Sequence, residues 1–133
     1  MNDERKTLIE YRLSRADETL EDAKILFSKG RLFSTVNRIY YSMFYTVNAL
    51  LLLKKLSSAK HSGVLSLFMK EFVNRSIINQ EMGKFYSQMF EFRQKGDYKD
   101  LVKFNQDDVR RWLDKAVEFI SQINNLIKNK NDF

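Results

Sequence analysis

The chain has 133 residues, 44% of them hydrophobic, with no cysteine, no proline and one histidine. That length fits one domain with a closed core. The composition excludes disulfides and thiolate metal sites, and a lone histidine argues against zinc. Net charge is +6: residues 1–22 carry seven acidic and four basic groups, the rest nineteen basic and ten acidic. A basic body of this kind attracts nucleic acid or an acidic partner, although its lysines and arginines are spread along the chain rather than gathered in one tract. The N-terminal residues are polar and charged, without an apolar signal region, so a cytoplasmic location is expected.

The first helix is predicted from about Glu4 to Ser28. Ile9, Leu13, Ala16, Leu20, Ala23 and Phe27 recur at steps of three and four and face inward, while Asp17, Glu18, Glu21 and Asp22 lie on the outer face. Gly30 then supplies a residue that tolerates positive φ at a helix end. The connection is short, which predicts an antiparallel hairpin with the next helix.

That second helix, Leu32 to Leu53, is the expected centre of the fold. Leu32, Phe33, Val36, Ile39, Tyr40, Met43, Phe44, Val47, Leu50 and Leu51 form a continuous stripe, and Tyr41, Tyr45, Leu52 and Leu53 widen it. Its length approaches a membrane span, but Asn37, Arg38 and Asn48 would be costly in lipid, so a buried helix of a bundle is expected, with no membrane. Asn37 and Arg38 on such an element need partners and mark a candidate binding site.

A polar stretch, residues 54–61, leads to a third helix near Lys60 to Asn74 that presents Val64, Leu67, Phe68 and Phe72 inward, with His61 in its first turn. The fourth helix starts near Asn79, a suitable N-cap. Met82, Phe85, Tyr86, Met89 and Phe90 form its apolar face, and Arg93 continues that face. An arginine there either reaches out to water or meets a specific anion. Gly96 is expected to break the helix, so that Arg93, Asp97 and Tyr98 cluster at its end. Leu101, Val102 and Phe104 are expected to dock a connection onto the bundle. Asn105 caps the last helix, where Val109, Trp112, Leu113, Ala116, Ile120, Ile123 and Ile127 face inward. The fold class is all-α: one up-and-down antiparallel bundle of four to five helices over residues 1–133.

No phosphate loop, carboxylate pair or nucleophile–histidine motif is visible. The segments RIYYSMFYTVNALL, KHSGVLSLFMKEFV and RQKGDY, in that order, however, resemble the HEPN domain family, in particular its small stand-alone prokaryotic branch of toxin and nucleotidyltransferase-partner type. The resemblance implies a bundle that commonly forms homodimers, and either a metal-independent endoribonuclease or a toxin paired with a minimal nucleotidyltransferase as antitoxin. It implies an active-site arginine followed, after a polar residue, by a histidine. Arg93 matches the arginine, but Tyr98 stands at the histidine position.

Tyrosine, with an ordinary pKa near 10, is a poor base at neutral pH, whereas histidine suits proton transfer there. The leading expectation is therefore a nucleotidyltransferase partner that binds a nucleotide or RNA phosphate at Arg93, Asp97 and Tyr98, without a cofactor. In related systems the antitoxin attaches nucleotides to a tyrosine beside the motif, and Tyr98 is the corresponding position. The alternatives are an endoribonuclease using Arg93 with Tyr98 or with His61 brought in from the third helix, and a purely structural subunit in which Arg93 and Asp97 form an ion pair. The aromatic content also predicts an apolar patch that supports a homodimer.

Overall fold

The computed structural model describes residues 2–98 and 103–129, and of residues 95–98 the backbone alone. Among the described residues five α-helices follow one another: α1 Asp3–Ser28, α2 Leu32–Leu52, α3 His61–Phe68, α4 Gln80–Tyr98 and α5 Gln106–Lys128. Among the described residues there is no strand, and α3 runs on into a π-helical turn, Met69–Val73. The all-α helical bundle expected from periodicity is the observed fold.

Each boundary has a local cause. Asn2 accepts the amide of Arg5 at the start of α1. Gly30, at φ +73°, turns the chain into α2, and the α1–α2 pair is the most extensive in the molecule. Asn79 accepts the Met82 amide at 2.9 Å, and Asn105 accepts those of Asp107 and Asp108; both caps satisfy amide donors that the first turn of a helix leaves without an intrahelical partner. Gly96 does not break α4, which continues through it to Tyr98. A single glycine costs a helix only about 1 kcal/mol, too little to end one by itself.

α2 is central, contacting α1, α3, α4 and α5. Its buried polar residues are satisfied within the helix: Thr35 donates to the Arg31 carbonyl, Ser42 to Ile39, Thr46 to Ser42 and the Asn48 amide to Phe44. These back-bonds let a helix carry hydroxyls into a core without orphaned donors. Tyr40, Tyr86, Phe68 and Phe119 are fully buried: Tyr86 stacks between Tyr40 and Phe119 with centroids 5.9 Å apart, and Phe68 meets it edge-on at 5.5 Å. Each buried ring contributes about 1.5–3 kcal/mol. Gly83 lets α4 approach the π-helical turn: a Cβ there would meet Val73 at 3.0 Å. Phe104 docks the connection by edge contact with Phe92 and Trp112, as its apolar character predicts. Leu101 and Val102 lie outside the described residues.

Candidate functional site

The last turns of α4, the first residue of α3 and the middle of α2 converge on two adjacent tyrosines. Arg93 donates from Nε to the Tyr41 hydroxyl at 3.1 Å. Its guanidinium carbon lies 5.5 Å from the Tyr41 ring centroid and 5.8 Å from that of Tyr40. Arg93 is half-buried, so its charge is held against rings rather than extended into water, an arrangement that favours a cation.

Arg38 approaches the same Tyr41 ring, at 5.1 Å. It also donates to Asn37 Oδ1 from Nη2 at 2.8 Å and from Nε at 3.2 Å. The predicted need for partners at Asn37 and Arg38 is thus met partly by each other. Among the described residues no carboxylate pairs with Arg38. Two guanidiniums therefore flank one phenol, and a bidentate anion suits that geometry.

His61 completes the cluster. Its Nδ1 is 2.7 Å from the Tyr40 hydroxyl, and its ring stacks on Phe44 with centroids 4.3 Å apart and planes 9° from parallel. The Tyr41 ring meets it edge-on at 5.7 Å. Stacking and the hydrogen bond together fix the imidazole plane. Burial pushes the Tyr40 phenol well above its ordinary pKa, offset in part by the Tyr86 hydroxyl and the Arg93 charge. Tyr40 therefore stays neutral and acts as an orienting group for His61, not as a base.

The structure thus brings together Arg93, His61, Arg38 and Asn37. Asp97 and Tyr98 belong to the last turn of α4, but their side chains lie outside the described residues. Periodicity alone missed Tyr40 and Tyr41, which it assigned to the apolar stripe. The available signal was chemical: a phenol on a buried helix needs a hydrogen-bond partner. Among the described residues no group of three histidines or carboxylates could hold a metal ion, and no helix is long and apolar enough to cross a membrane.

The family model for the HEPN domain matches residues 9–126. The chain belongs to the HEPN family. A UPF0332 protein of Thermotoga maritima is 52% identical over 126 residues, covering 95% of this chain and 96% of its own. A candidate toxin of Methanocaldococcus jannaschii is 32% identical over 133 residues, covering 96% and 90%. A second candidate toxin of that organism is 31% identical over 128 residues, covering 96% and 95%. In this HEPN domain Arg93 is seated on the tyrosine pair, with its hydrogen bond to Tyr41.

Proposed function

We propose that this HEPN domain is a toxin-like protein that binds an RNA or nucleotide phosphate at Arg93 and Arg38, over the Tyr40–Tyr41 pair. The observation that carries this reading is the convergence of both guanidiniums on the Tyr41 ring, at 5.1 and 5.5 Å. The candidate-toxin relatives support the class of protein. Asp97 and Tyr98 join the proposal through the sequence resemblance alone. So does a minimal nucleotidyltransferase as the neutralising partner, with Tyr98 as the residue it would modify. A homodimer is also proposed, supported by large apolar side chains left exposed on one copy, Phe33 at 48% among them.

Fluorescence anisotropy with a dye-labelled single-stranded RNA tests the phosphate site. Wild-type protein should bind in a salt-dependent way and Arg93→Ala should not. Equal binding by the two proteins would refute the proposal. Co-expression with a minimal nucleotidyltransferase tests the partner, which requires a complex that survives purification.

A second reading, metal-independent RNA cleavage, is favoured by the placement of His61 against Tyr40. In that reaction the ribose 2′-oxygen attacks the adjacent phosphorus, losing its proton to a base, while the departing 5′-oxygen gains one. The products are a 2′,3′-cyclic phosphate and a 5′-hydroxyl. His61 would exchange one of those protons and Arg93 would hold the phosphate. Cleavage in the presence of a chelator, lost in His61→Ala and in Arg93→Ala, is the expected result. Cleavage unaffected by both substitutions would exclude this site.

A further inference from the structure

We infer that the groove between α1 and α2 is a second subsite, which takes the phosphate and base of a neighbouring nucleotide in a single-stranded RNA. This inference rests on the proposal that Arg93 holds an RNA phosphate. The groove is a cavity of about 450 Å³ lined by Tyr11, Arg12, Arg15, Phe44, Tyr45 and Asn48.

Its charge is segregated from its surroundings. Residues 1–22 are acidic overall, and Asp17, Glu18, Glu21 and Asp22 are exposed on the outer face of α1. The two half-buried arginines, Arg12 and Arg15, line the groove instead. Spaced by three on one helix, they repel each other. Among the described residues Arg12 has no carboxylate partner. Arg15 meets Glu18 only at 3.5 Å on a solvated surface, where such a pair contributes little. An anion between the two guanidiniums would relieve the repulsion.

The groove is also lined with rings. Arg15 lies over the Tyr45 ring at 5.3 Å, and Tyr11, 61% exposed, stands at its edge. Cations alternating with aromatic faces are what a single strand requires: charge for the backbone and flat surfaces for unpaired bases.

Two contacts join this groove to the cluster at Arg93. The Tyr45 and Tyr41 rings are 6.1 Å apart, and Phe44, which lines the groove, stacks on His61. One aromatic surface on α2 therefore carries Arg12 and Arg15 at one side and Arg38 and Arg93 at the other.

The test measures anisotropy with a labelled single-stranded RNA about twelve nucleotides long, within the range of single-strand site sizes, and with a labelled mononucleotide, which fills the Arg93 site alone. Arg12→Gln/Arg15→Gln should bind the long RNA on the order of tenfold more weakly, the loss of a charged hydrogen bond or two. Its salt dependence should be shallower by roughly 0.7 per lost phosphate contact. Mononucleotide binding should be unchanged. Lys84→Gln/Lys128→Gln makes the same change in net charge at exposed positions elsewhere and should retain wild-type affinity. If the two double variants behave alike, the groove is not a subsite, and the Arg93 site stands. If wild type and Arg93→Ala bind alike, both proposals fall. Arg12→Lys/Arg15→Lys should retain the salt slope even if the glutamine variant folds poorly; loss of the slope in a folded lysine variant would also overturn the subsite.

Discussion

The Tyr40 hydroxyl lies 2.7 Å from His61 Nδ1, while the parallel Tyr86 ring, 5.9 Å behind it, makes no hydrogen bond of good geometry among the described residues. The Tyr86 hydroxyl interacts with that of Tyr40, but without a well-formed hydrogen bond, so Tyr40 alone of the two is well satisfied among the described residues. The same substitution should therefore act in opposite directions at the two positions. Tyr40→Phe leaves a half-buried imidazole nitrogen without its phenol and should cost about 1 kcal/mol. Tyr86→Phe removes a buried hydroxyl that lacks a well-formed hydrogen bond and should be neutral or stabilising by on the order of 1 kcal/mol. Urea denaturation of the two variants checks the contrast, and equal destabilisation would contradict it.

These phenols also set an alkaline limit. Burial raises both pKa values, and the Tyr40 phenol adds to the shift at Tyr86. In the unfolded chain each ionises at about 10. Above about pH 10 the folded protein thus holds more protons than the unfolded chain, and stability falls with rising pH. Below that pH the contribution is fully present. Unfolding free energy should decline above about pH 10, accompanied by a late rise in tyrosinate absorbance. The Tyr40→Phe/Tyr86→Phe variant should show a flatter decline; an unchanged profile would assign the limit to other groups.

Most of this architecture was legible in the residues. Steps of three and four set the inward faces of α1, α2, α4 and α5, and Asn79, Asn105 and Gly30 marked helix ends through chemistry that acts within a few residues. Gly96 misled because a breaker's local cost is small beside the packing of a nineteen-residue helix. The site was legible only in part. Arg93 and Arg38 stood out as charges on apolar helices and His61 as the lone histidine at a helix start, but their meeting point depends on contacts as far as 52 residues apart in sequence. Periodicity counts Tyr40 and Tyr41 as apolar and does not register their hydroxyls.

Tyr41 accepts from Arg93 and lies under both guanidiniums, so ring and hydroxyl should separate experimentally. Tyr41→Phe keeps the face and removes the acceptor; Tyr41→Ala removes both. RNA affinity should fall by about tenfold in the first and further in the second, since a hydrogen bond to a charged group contributes about 1.5–3 kcal/mol net of water. Arg93→Lys should not restore binding, because an ammonium lacks the planar fork that spans a phosphate. Full binding by Arg93→Lys would show that charge alone suffices.

Asn105 holds the start of α5 by accepting two amides, at 2.8 and 3.2 Å, and the preceding Phe104 packs on Phe92, Trp112 and Phe33. Asn105→Ala should cost about 1 kcal/mol, and Asn105→Gly only a few tenths, because glycine leaves the helix end open to water. A loss limited to that range in urea denaturation means that the cap acts locally. A loss near 3 kcal/mol would mean that Phe104 leaves its ring cluster when the cap is removed, since burying one phenylalanine contributes about that much. The Trp112 emission spectrum distinguishes the two outcomes: it should stay fixed for a local effect and shift toward that of a solvated indole if Phe104 is displaced.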